Sequence, residues 1–158
     1  MLSKIKLIGV DIDGTLTDGK LYYIEGMNEP LKTFNVKDGM AVYLAKKAGI
    51  KIAIISGLNS RASEKRARKL GIEDAFFGVM EKAPIMRKIM EKYGLKKGEA
   101  IFLGDDIQDI PAMDEAGLGA AVSDAVEEVK KRAEIILGSK GGEGALRELV
   151  ELILRNRK

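Results

Sequence analysis

The amino-acid pattern predicts an α/β fold built on a doubly wound, Rossmann-like parallel sheet, and three observations carry that prediction. Short, almost wholly apolar runs (residues 5–12, 51–55 and 100–103) alternate with stretches of helical periodicity, as expected of strands covered by helices on both faces. Each run stops at polar residues: Asp11 and Asp13 after the first, Ser56 after the second, Asp105 and Asp106 after the third. Ligands of open parallel sheets sit beyond the carboxyl ends of the strands, so groups distant in sequence are expected on one edge. The 158 residues suffice for one domain with a single core, and no repeat or Pro/Ser-rich linker divides them.

Residues 5–12 read as the first strand. Alternate side chains of a strand share a face, so Asp11 and Asp13 leave its end on the same side, and Gly14 lets the chain turn away. Leu21-Tyr22-Tyr23-Ile24 and Leu31-Lys32-Thr33-Phe34 flank a polar turn, which predicts a β-hairpin inserted over about residues 19–35. Asp38 is expected to cap a helix that stops near Gly49. Residues 51–55 form the second strand, and Ser60 opens a polar helix closed by Gly71. A short strand at 75–77 precedes a helix over 82–93 that turns Ile85, Ile89 and Met90 inward. After the buried strand at 100–103 come a helix at 109–116, a strand at 120–122, a helix at 126–132 and a strand at 135–137. A Gly-rich segment over about 138–145 leads into a last amphipathic helix from about Gly144 to Leu154.

Two absences narrow the chemistry. Without Cys there is no disulfide framework and no thiol catalysis. Without His there is no Ser-His-Asp hydrolase, no histidine phosphatase and no histidine-ligated zinc or iron site. Acid–base work falls to carboxylates, Lys or Tyr, and an oxygen-rich metal site favours Mg²⁺, Mn²⁺ or Ca²⁺. The formal net charge of +3, with both signs interleaved, calls for no nucleic-acid partner. No apolar run approaches the ~20 residues of a membrane span. Residues 1–10 lack a signal layout, so a cytoplasmic protein without a membrane partner is expected.

Two carboxylates as close as Asp11 and Asp13 repel unless a cation or proton lies between them. A few carboxylates with water and phosphate oxygens suit Mg²⁺. Ser56-Gly57 ahead of a helix offers a hydroxyl and N–H donors to an anion, and Lys82 at a helix start adds positive charge. Such a set suits phosphoryl transfer through a carboxylate nucleophile.

Asp11-Ile12-Asp13-Gly14-Thr15, Ile55-Ser56-Gly57, Lys82 and Gly104-Asp105-Asp106-Ile107-Gln108-Asp109 resemble, in order and spacing, the four motifs of the haloacid dehalogenase superfamily. The resemblance implies that Asp11 attacks phosphorus and that Asp13 serves as acid and then base. It implies that Ser56, Gly57 and Lys82 hold the phosphoryl group. It also implies Mg²⁺ on Asp11, the Asp13 carbonyl and Asp105, with Asp109 or Asp106 in support. Between Gly19 and Asn35 there is room only for a hairpin, so no cap domain is expected. Phe34-Asn35-Val36-Lys37-Asp38-Gly39, Glu64-Lys65-Arg66 and Gly141-Gly142-Glu143-Gly144-Ala145 resemble the 3-deoxy-D-manno-octulosonate 8-phosphate phosphatases of that superfamily.

This closer resemblance implies a sugar-acid phosphate substrate met by Asn35, Lys37, Asp38 and Arg66. It further implies a homotetramer joined through the hairpins and a Gly-rich tail that helps close a neighbour's site. Leu58 stands where that group usually has Arg, with Arg61 one helical turn on. Related enzymes act on nine-carbon sialic-type acid 9-phosphates, which is the alternative substrate. An oligomerisation module without turnover is the alternative from another class. A response-regulator receiver would carry its acceptor Asp at a central strand end, where this chain has Ser56.

Overall fold

The chain leads out of one central strand in both directions. The computed structural model describes residues 1–157. Its strands are β1 (Leu7–Val10), β2 (Lys51–Ile55), β3 (Asp74–Phe76), β4 (Ala100–Gly104), β5 (Gly119–Ala121) and β6 (Ile135–Ile136). The helices are α1 (Val36–Lys47), α2 (Arg61–Lys69), α3 (Lys82–Lys92), α4 (Ile110–Ala116), α5 (Glu127–Arg132) and α6 (Ala145–Arg155). All the pairings are parallel and the order across the sheet is β3-β2-β1-β4-β5-β6. The order reverses between β1 and β4, and a crevice opens there outside the carboxyl ends. Asp11 and Asp105, each one residue past its strand, flank that crevice. A receiver of the 2-1-3-4-5 type has a different strand order, so the fold removes that reading.

Strands β1 and β4 are buried along their whole length, which accounts for their continuous apolar sequence. Gly9 is required there, because a Cβ would lie 2.6 Å from the Phe102 ring. Helix α6 turns Leu146, Leu149, Val150 and Ile153 onto the sheet and against α1. Helix α3 packs against α4 and carries the buried Met86, Ile89 and Met90.

Two expectations change in the structure. The hairpin shrinks to one antiparallel bridge, with reciprocal Tyr22–Leu31 hydrogen bonds of 3.2 and 2.9 Å. Two strands without a face to pack on are marginal, and Tyr22, Tyr23, Ile24, Met27 and Leu31 stay exposed. Helix α1 starts earlier than expected. Asn35 is its cap, accepting from Lys37 N at 2.9 Å, and Asp38 lies buried inside the first turn. The Gly-rich segment docks on its own chain. Gly142 N donates to Thr15 O at 3.1 Å, Gly141 N donates to Asp124 Oδ1 at 2.9 Å, and a Cβ on Gly141 would overlap Gly14 O.

Candidate active site

The innermost part of the crevice is an ammonium held between two carboxylates. Lys82 Nζ lies 2.7 Å from Asp11 Oδ1 and 2.6 Å from Asp109 Oδ1, and all three side chains are enclosed. Lys82 reaches this point because it opens α3, whose buried face is continuous with the site. Burial works against the Lys82 charge, but Asp11 and Asp109 outweigh it and hold its pKa above the ordinary lysine range. Asp109 Oδ2 also accepts from Asp105 N at 2.9 Å and Asp106 N at 3.2 Å. Both its oxygens are therefore committed, and it braces the loop from behind. Asp106 instead caps the short 3-10 turn Ile107–Asp109.

Asp11 is fixed at one oxygen only. Its Oδ2 is buried without a hydrogen-bond partner, and so is the Ser56 hydroxyl at the end of the adjacent β2. Burial first, and the Asp109 charge second, push the Asp11 carboxyl up to about 6. Asp105 is pushed up to about 8 by burial and by the charges of Asp11 and Asp109, while Thr15 Oγ1 donates to it at 3.1 Å. Gly14 (φ +91°) makes room for Asp105, since a Cβ would lie 2.0 Å from Asp105 Oδ2. Asp11, Asp105 and Asp109 each bring an oxygen within 4.8 Å of the others. Crowded, desolvated carboxylates with an unpartnered oxygen fit a hard divalent cation and fit little else.

Asp13 is partly open, and its Oδ1 lies 2.8 Å from Lys32 Nζ. The remaining expected residues gather outside this centre. Asn35 Nδ2 donates to Gly142 O at 3.1 Å, and Arg66 donates to Asn35 O at 3.3 Å with its guanidinium over the Phe34 ring. Lys37 is exposed beside Gly144. Leu58 is exposed on the loop after Ser56. Arg61 is exposed as well and pairs with Glu29 at 3.5 Å.

A family model for haloacid dehalogenase-like hydrolases matches residues 25–117, more than half of the chain. This chain belongs to the haloacid dehalogenase-like hydrolases. The hydrolase is 36% identical to the 3-deoxy-D-manno-octulosonate 8-phosphate phosphatase of Haemophilus influenzae, over 98% of this chain and 85% of that one. With the corresponding Escherichia coli enzyme it shares 37% identity over 95% of this chain and 79% of the relative. The cobalt-bound structure of the H. influenzae phosphatase superposes with a TM-score of 0.94, covering 99% of this chain and 91% of that one. The Moraxella catarrhalis phosphatase, solved with magnesium, phosphate and KDO, superposes with a TM-score of 0.91 at 36% identity, covering 98% and 88% of the two chains.

Two residues of this hydrolase do something the sequence did not announce. Lys32 reads as an ordinary strand lysine, yet its side chain is 2% exposed at Asp13. Asp38, expected to cap α1, accepts from Arg147 N at 3.1 Å and caps α6, whose own N-cap is Gly144. Burial pushes the Asp38 carboxyl up to about 6, against the Arg147 and Leu146 N–H groups and the Arg66 charge. A raised folded-state pKa gives stability that is complete below the ordinary 3.8 and lost as pH rises through about 6. Denaturation of Asp38→Asn at pH 4 and pH 8 should therefore shift in the variant's favour by about 2–3 kcal/mol at the higher pH. The same difference at both pH values would show that the carboxyl titrates normally.

Proposed function

We propose that this hydrolase cleaves a sugar-acid phosphomonoester, with 3-deoxy-D-manno-octulosonate 8-phosphate as its first substrate, through an aspartyl-phosphate on Asp11. The observation that carries the reading is the Asp11 carboxylate: Oδ1 is held by Lys82, and Oδ2 is buried, unpartnered and ready to form a bond. Asp11 Oδ2 attacks phosphorus, and the bond between phosphorus and the sugar oxygen breaks. Asp13 gives a proton to that leaving oxygen. It then takes one from the water that attacks the aspartyl-phosphate, releasing phosphate and restoring Asp11. The Ser56 hydroxyl and the Gly57 N–H take phosphoryl oxygens, and Lys82 offsets the charge that gathers beside Asp11. Asp11, Asp105 and the Asp13 carbonyl would hold Mg²⁺, which when bound would supply positive charge to the phosphoryl group.

Asn35 and Arg66 border the cleft on the side of the Gly-rich segment, where Arg66 is the cation suited to a sugar carboxylate. Leu58, 47% exposed, leaves the rim after Ser56 apolar where the octulosonate phosphatases usually carry Arg, so nine-carbon acid 9-phosphates are kept as the second substrate reading. The exposed Tyr22, Tyr23, Ile24, Met27 and Leu31 support assembly into a homotetramer through the hairpins. Among the described residues no helix is long and apolar enough to cross a membrane, and the site of action we propose is the cytoplasm.

The test is phosphate release, with and without Mg²⁺, from the octulosonate 8-phosphate, a nine-carbon sialic-type 9-phosphate and an aryl phosphate. The expected result is metal-dependent turnover with kcat/KM for the octulosonate ester about 100-fold above the aryl one. Equal slow rates on all three would refute the substrate. No release from any would refute the hydrolytic role.

A further inference from the structure

We propose that Lys32 is a positioning residue that sets the acid–base carboxylate, Asp13, for proton transfer. This rests on the phosphatase reading above. Lysine is seldom enclosed, because an ammonium taken out of water is costly unless it is paired. Here the Lys32 side chain is 2% exposed, with Nζ 2.8 Å from Asp13 Oδ1 and 3.4 Å from Ser63 Oγ in the first turn of α2. Asp13 lies on the loop after β1, its side chain 21% exposed, where a carboxylate would otherwise exchange among rotamers.

The lysine is itself held. Its neighbour Leu31 is bridged to Tyr22, and Glu29 Oε2 accepts from Arg61 N at 3.0 Å. The chain just before Lys32 is thus pinned twice, at Leu31 across the hairpin and at Glu29 on α2. The ammonium fixes one oxygen of Asp13 and leaves the other to carry the proton to the departing alkoxide. The insertion therefore contributes a side chain to the reaction centre as well as an exposed apolar surface.

A positioning role makes a demand that a merely structural one does not: the loss must follow the leaving group. An alkoxide needs the Asp13 proton to depart, and p-nitrophenolate does not. With Mg²⁺ present, Lys32→Met and Lys32→Gln should lower kcat/KM for ethyl phosphate about tenfold to 100-fold. The value for p-nitrophenyl phosphate should stay within about threefold. Two variants are used so that one failing to fold leaves the other, with circular dichroism checking each. In an Asp13→Asn background, Lys32→Met should cost less than about twofold more, because its effect passes through Asp13.

Equal losses on the two esters, or an undiminished loss in the Asp13→Asn background, would overturn the proposal while the parent's turnover keeps the phosphatase reading. If the parent released phosphate from none of these esters or the sugar-acid phosphates, both would fall together.

Discussion

Replacing Asp11 with Asn is expected to abolish phosphate release and to leave the fold in place. The amide keeps the shape and an oxygen for Lys82 at the Oδ1 position, but it cannot attack phosphorus. Losses for a removed nucleophile reach about 10⁴-fold and beyond. The melting temperature should hardly move, because burial and the Asp109 charge already disfavour the Asp11 carboxylate. Phosphate release and a thermal melt on the same preparation decide it. Turnover near the parental rate in a folded Asp11→Asn protein would remove Asp11 from its role.

The second large effect belongs to Lys82. Lys82→Met is expected to lose turnover and also stability, by about 3–5 kcal/mol at pH 8, because two enclosed carboxylates lose their shared counter-charge. The loss should shrink as pH falls toward 5. Asp11, already pushed up to about 6, then takes a proton, and a group with a raised pKa contributes its stability at low pH and loses it as pH rises. Urea denaturation at the two pH values measures the difference. A cost under about 1 kcal/mol, or one that did not change with pH, would mean the ammonium is not the partner the geometry makes it.

The two variants also explain what could be read beforehand. The strands were legible because a buried parallel strand leaves an unbroken apolar run, and the edge was legible because every run ended in a polar residue. Asp11, Asp13, Ser56, Lys82, Asp105 and Asp109 were found as motif residues, and the structure brings them to one crevice. Which of Asp106 and Asp109 stands behind the site depended on a capping geometry that spacing alone does not encode. The hairpin was overdrawn, because β-prone residues do not pair far without a face to pack on. Asp38 was expected as the cap of α1 and Lys32 was not singled out, for one reason. Each is a charged residue in a segment of unremarkable pattern, and only the folded chain shows that one meets the start of α6 and the other meets Asp13.

The contact between Gly141 and Gly14 orders events in time. Asp11 is made well before Gly142, yet its loop acquires its covering only once residue 142 has followed. Arg157, just after α6, then ties that helix to the segments leading into β1 and β2, donating to the carbonyls of Ile5 and Ala48. A growing polypeptide therefore carries Asp11 through the making of all those residues without the segment that covers its loop.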